Sequence, residues 1–176
     1  CSGVISVSKK NADELKALHL IDEKRIEIFP NGVDHTLFHK MDRAEARKCF
    51  GFSEKDVIAV FVGTFSRRKG EKRVLEAAKR IPGLKLVLVG EGDPVPSSDQ
   101  ILFCDKVEHD RLPVLLNACD FFVLPTLNEG CCNAVLEALA CGLPVVSSDL
   151  PFNDEALTED NSIRVDPLDI EEIGSA

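Results

Sequence analysis

Two carboxylates, Glu129 and Glu137, flank seven residues, Gly130-Cys131-Cys132-Asn133-Ala134-Val135-Leu136. Before them, Phe121-Phe122-Val123-Leu124-Pro125 reads as a buried strand; after Cys132, Asn133 to Ala140 reads as a short helix closed by Gly142. Glu129 is therefore expected at the carboxyl end of a strand, the edge at which open parallel sheets bind ligands. Glu137 projects from the second turn of the helix. Two acids so placed can address different parts of one elongated ligand, while the bare N–H groups of the helix start receive an anion between them. A sugar, a diphosphate and a ribose fit that order.

A second group capable of chemistry lies in Phe61-Val62-Gly63-Thr64-Phe65-Ser66-Arg67-Arg68-Lys69-Gly70. A small residue at Gly63, between a strand and its helix, lets phosphate oxygens approach the backbone, and Lys69 can set a positive charge on them. A P-loop is excluded, because Arg68 and Gly70 flank the lysine where that motif needs Gly and Ser or Thr. A dinucleotide fingerprint fails too, since Gly90-Glu91-Gly92-Asp93-Pro94-Val95 lacks the third glycine.

The elements that must position these residues alternate. Strands are predicted at 57–64, 84–90, 101–104, 121–125, 144–148 and 162–165, with helices at 43–50, 69–81, 111–119 and 133–140. Upstream, a strand at 3–8, a helix at 11–18 and a strand at 25–29 make one βαβ unit. A short helix is expected from Ile170. Continuous β-branched strands with helices between them imply a Rossmann-like α/β domain, a parallel sheet with helices on both faces.

The paired glutamates resemble the signature of the retaining glycosyltransferases of group 1 with the GT-B fold, in which two Rossmann-like domains face a cleft. Four further segments resemble that family in order: Pro30-Asn31-Gly32-Val33-Asp34 with Phe38; the Gly63 to Gly70 loop; Leu86 to Gly92 followed by Asn117-Ala118-Cys119-Asp120; and Gly142-Leu143-Pro144-Val145-Val146. The resemblance implies the carboxyl-terminal, donor-binding half of a GT-B enzyme, with residues 1–32 a remnant of the acceptor domain and its linker, and 33–176 the donor domain. Both ends are read as cuts inside a longer protein, so the fragment alone is expected to be inactive.

What the resemblance implies for the site follows. Lys69 and Glu129 carry the catalytic roles. Lys69 grips the diphosphate, Glu137 the ribose diol, which two carboxylate oxygens match, and Glu129 the transferred sugar. Gly130 and the amides of Cys131 and Cys132 face sugar and diphosphate, Asn133 adds a contact or begins the helix, and Val107, after Lys106, meets the base. Thr64 stands where relatives commonly carry arginine, leaving Arg67, Arg68 or the other half of the protein to supply a second cation. Cys132 stands where they often have glycine. The expected reaction transfers a sugar from a nucleoside-diphosphate sugar to a glycan or lipid-linked acceptor, in polysaccharide or glycoconjugate biosynthesis. No cofactor or metal is expected, because lysine and helix dipoles replace a divalent ion and no Asp-x-Asp pair is present. A non-catalytic nucleotide-sugar-binding module, or an epimerase or phosphorylase on the same fold, are the competing readings.

Composition narrows the field. At 176 residues with a net charge of −9 and no Lys/Arg block longer than Arg67-Arg68-Lys69, the chain argues against nucleic acid as a partner. Its seven cysteines lie mostly in apolar runs, as in a reduced cytoplasmic protein, and disulfides are not expected. No apolar run approaches the roughly 20 residues that span a bilayer, so membrane contact is expected only through the other half. His19, His35, His39 and His109 are scattered and read as solvent-side or structural.

Overall fold

The computed structural model describes residues 2–19 and 21–176. Two parallel sheets organise them. The smaller pairs β1 (Val4–Ser6) with β2 (Ile26–Ile28) across α1 (Lys9–Ala17). The larger is built from β3 (Val57–Val62), β4 (Leu84–Val89), β5 (Ile101–Asp105), β6 (Phe121–Leu124), β7 (Val145–Ser148) and β8 (Ser162–Val165). Its strands run β5-β4-β3-β6-β7-β8, every pairing parallel. The helices are α2 (Arg43–Phe50), α3 (Glu71–Ala78), α4 (Leu112–Asn117), α5 (Asn133–Ala140) and α6 (Ile170–Ser175). They cover both faces of the sheet, the Rossmann-like arrangement the apolar strands require. Ile58 to Phe61 on β3 and Leu86 to Leu88 on β4 are buried on both sides.

The strand order fixes where a ligand can sit. The chain lays β4 and then β5 on one side of β3, then returns to place β6 on the other. Connections leaving the carboxyl ends of β3 and β6 therefore diverge, which opens a crevice at this switch point. The loops bearing Lys69 and Glu129 are these two connections.

Local chemistry sets the element ends and corrects several predicted boundaries. The expected helix at 69–81 is α3, starting only at Glu71, because Gly70 sits at φ 90°, a left-handed conformation that cannot continue a helix. It ends at Ala78, where Arg80 and Ile81 donate to the carbonyls three residues back, Ala77 and Ala78. Predicted 111–119 shortens to α4 in the same way, through Ala118 to Leu115 and Cys119 to Leu116. Predicted 11–18 begins earlier, at Lys9, since the Ser8 side chain accepts from the Asn11 amide as an N-cap. Helix α2 has both ends as read, capped by Asp42 and closed by left-handed Gly51. The predicted strands at 57–64, 84–90, 121–125 and 144–148 each lose their Gly, Pro or Thr margins, while 101–104 gains Asp105. Pro144 has no N–H for the ladder, and its carbonyl takes the Phe122 amide just before β7 begins. The strands predicted at 3–8 and 25–29 are each reduced to three residues, β1 and β2.

Candidate functional site

Lys69 and Glu129 meet in the crevice. Lys69 Nζ lies 2.8 Å from Glu129 Oε1, and the two side chains are only 14% and 12% exposed. Lys69 precedes the helix, and its stem runs past Gly63, whose added Cβ would lie 3.4 Å from the lysine Cδ. Arg68 NH1 approaches the same carboxylate oxygen at 2.7 Å and also donates to the Asn128 carbonyl at 2.8 Å. Of the two arginines offered by the sequence, Arg68 joins this cluster. Arg67 is exposed, and its carbonyl accepts from Arg73 NH1.

Several bonds lock the two loops together. The Leu127 amide donates to the Arg68 carbonyl at 2.9 Å, and Arg73 NH2 donates to the Pro125 carbonyl at 2.7 Å. Burial lowers the Arg73 pKa, with Glu71 opposing the shift, and the half-buried guanidinium staples the loop that presents Lys69. Beside it, Gly90 is forced by close approach: a Cβ there would fall 2.0 Å from the Gly63 carbonyl oxygen, and φ is 151°.

The residues after Glu129 divide. Gly130 turns toward the β1-α1-β2 unit, where an added Cβ would lie 2.8 Å from Asn11 Nδ2 and 3.3 Å from Val7 Cγ2. Cys132 is the buried N-cap of α5 and supplies no side-chain cap. Burial raises its thiol pKa, with Lys69 pulling the other way. Cys131 and Cys132 line a cavity of about 60 Å³ shared with Ser8, Pro30 and Asn31. Asn133 begins α5, and its Oδ1 accepts from Asn31 Nδ2 at 2.8 Å.

Glu137 lies half-buried on α5 among Val135, Leu136, Ala138 and Leu139. Burial pushes its carboxyl above the usual range, and the charge of His109 draws it back. His109 packs its ring on Phe38 at 5.2 Å between centroids. Thr64 is exposed, and Val107 is half-buried against the core. Lys106, its neighbour, pairs with Glu91 across the ends of β5 and β4. The sequence reading missed Thr126, which donates its hydroxyl to Glu129 Oε1 at 2.8 Å and is 1% exposed. A polar residue three positions before the glutamate, just after a buried strand, was the available signal. Among the described residues, no group of three or more His, Cys, Asp or Glu is placed to hold a metal, and six cysteines carry free thiols. No helix of the described residues is long and apolar enough to cross a membrane.

Residues 42–175 match the family model described as glycosyl transferases group 1. The chain belongs to that family. A D-inositol 3-phosphate glycosyltransferase of Mycobacteroides abscessus is 31% identical over 156 residues, covering 80% of this chain and 35% of that relative. A relative of the same description in Mycobacterium tuberculosis is 30% identical over 152 residues, and the chain covers 32% of it. The glycosyltransferase chain thus spans about a third of the length of these curated relatives. Among solved structures, sucrose-phosphate synthase from Thermosynechococcus elongatus superposes with a TM-score of 0.85 at 26% identity, covering 98% of this chain and 47% of that one. HepE from Anabaena, solved with UDP-glucose, gives a TM-score of 0.86 at 19% identity, covering 99% of this chain and 52% of that one, a likeness of fold. These neighbours are GT-B glycosyltransferases, and this chain corresponds to about half of each.

Proposed function

We propose that this domain binds the donor in a retaining glycosyltransferase that moves a sugar from a nucleoside-diphosphate sugar to a glycan or lipid-linked acceptor. The observation that carries the reading is the meeting of Lys69, Arg68 and Glu129 at the switch point between β3 and β6, with Glu137 on the helix that follows. In this reading Lys69 and Arg68 take the diphosphate, Glu129 the sugar and Glu137 the ribose, while Val107 and the backbone beside it meet the base. Negative charge grows on the diphosphate as the glycosidic bond breaks, so cations positioned there act on the transition state. Retention follows from attack on the same face as departure, and Glu129 serves as a sugar contact with no covalent step assigned to it. Two cationic side chains and the N-terminus of α5 supply the charge that a divalent metal would bring elsewhere, and the reaction is proposed to proceed without one. The acceptor is bound by residues outside 33–176, on the cytoplasmic side, in glycan or glycoconjugate assembly.

Calorimetric titration with a panel of nucleoside diphosphates and their sugar conjugates tests this. One diphosphate is expected to bind saturably, and both Lys69→Ala and Glu137→Ala to weaken it about tenfold or more, the scale of a lost hydrogen bond to a charged group. Binding that neither substitution changes would remove the site assignment.

A further inference from the structure

Glu129 is held by one of its two oxygens. Arg68 NH1, Lys69 Nζ and Thr126 Oγ1 all reach Oε1, at 2.7, 2.8 and 2.8 Å. Among the described residues, the contacts of this carboxylate end there, which leaves Oε2 for a ligand. The three donors are not equivalent. Arg68 and Lys69 are flexible cations with a second client in the proposed reading, since a bound diphosphate competes for them. Thr126 is a neutral hydroxyl with a single proton to give, and it cannot follow the phosphates.

Thr126 is also fixed from below. Its carbonyl accepts from Ser148 Oγ at 2.5 Å, and the Ser148 carbonyl accepts from Asn153 Nδ2 at 2.7 Å. Asn153 Nδ2 also donates to Ser147 Oγ at 3.2 Å, and that hydroxyl donates to the Leu124 carbonyl at 2.8 Å. Ser147 and Ser148 are wholly buried and Asn153 is 2% exposed. A continuous buried network thus ties the 3-10 turn Pro151–Asn153 to the ends of β7 and β6 and, through Thr126, to the carboxylate. Buried polar groups are costly unless satisfied, and a satisfied network is rigid.

The geometry points to Thr126 as a positioning residue that keeps Glu129 Oε1 in place when the cations turn to the diphosphate, presenting Oε2 to a hydroxyl of the transferred sugar. The inference rests on the donor-site reading above and deepens it. Thr126 then governs the part of donor affinity that comes from the sugar and leaves the nucleotide part untouched. A merely structural threonine would affect both parts alike.

The test titrates wild type, Thr126→Val, Thr126→Ser and Glu129→Gln with UDP, ADP and GDP and with the glucose conjugate of each, after circular dichroism has shown each variant folded. Thr126→Val, which keeps the shape and removes the donor, is expected to weaken the bound glucose conjugate about tenfold while moving the bare diphosphate less than about twofold. Thr126→Ser is expected to restore wild-type affinity, and Thr126→Val is expected to add little on top of Glu129→Gln. Equal losses for diphosphate and conjugate, or no loss for either, overturn the assignment of Thr126. Absence of binding by wild type to all six compounds instead removes the donor-site reading on which the inference stands. If Thr126→Val does not fold, a selective loss for the conjugate in Ser148→Ala supports the proposal, and an equal loss for both overturns it.

Discussion

Replacing Arg47 with methionine is expected to cost this domain about 3 kcal/mol of stability, a figure assembled from contacts that a surface arginine would lack. Arg47 is 2% exposed on α2. Its Nε donates to the Ala118 carbonyl at 2.9 Å, its NH1 to the Ser53 and Glu54 carbonyls at 2.9 and 3.0 Å, and its NH2 to Asp120 Oδ2 at 2.7 Å. Ser53 and Glu54 are exposed, so water replaces the arginine there at little cost. Ala118 is fully buried, and its carbonyl would lose a donor, worth about 1 to 3 kcal/mol. Asp120 keeps the Ile58 amide at 2.8 Å and Arg43, and it is 21% exposed, so the loss there falls to about 2 kcal/mol, below the 3 to 5 of an abandoned buried charge. Burying the methionine stem returns about 1 kcal/mol. Urea denaturation measures the result: a lower midpoint with an unchanged slope, and a melting temperature lower by roughly 6 to 12 °C for a domain of this size. A loss under about 1 kcal/mol would refute the argument, because it would mean that solvent already reaches the contacts treated as buried.

Further outcomes follow from other sites. Glu137→Gln is expected to stabilise the chain at neutral pH: burial raises this carboxyl above 4.5, so its favourable contribution is complete below that value and is lost as pH rises through the raised one. The advantage of the glutamine variant should therefore close in melts recorded below about pH 4.5, and a gap that stays constant with pH would contradict the assignment. Gly90→Ala is expected to destabilise by more than about 2 kcal/mol, since its Cβ would collide with the Gly63 carbonyl and its φ of 151° disfavours any side chain; denaturation with the ordinary stability of an alanine substitution would deny that close approach. Arg73→Leu should release the Arg67 and Pro125 carbonyls and speed amide exchange across 66–70 while α4 stays protected. With a thiol reagent under native conditions, exposed Cys49 should react first among the described cysteines, and Cys119 and Cys141, buried and the latter pushed up to about 11, should wait for unfolding.

The fold was legible because its signal is collective. Six apolar runs with helical spacers leave few arrangements other than a covered parallel sheet, and one misplaced boundary does not alter that. The failures sit where a single backbone angle decides. The helix predicted at 69–81 begins only at Glu71, because Gly70 takes a left-handed conformation. That error matters chemically, since it would have put Lys69 on a helix, whereas the loop lets it fold back over Gly63 to Glu129.

At the site, what could be read were groups whose types announce chemistry: two acids, a lysine and an arginine near glycines. What could not be read was how they hold one another. The pairing of Arg68 and Lys69 with Glu129 joins positions some sixty residues apart, and no local pattern encodes it. Thr126 is easily passed over for a different reason. A threonine after a strand is an ordinary turn residue, and its importance depends on Ser148 and Asn153, which come from β7 and the turn beyond it. The same logic makes the network testable apart from the cations. Ser148→Ala removes the bond to the Thr126 carbonyl and leaves every charged group in place. Any loss of selectivity between a diphosphate and its sugar conjugate must then travel through Thr126, because nothing else in the chain of contacts between Asn153 and Glu129 has been altered.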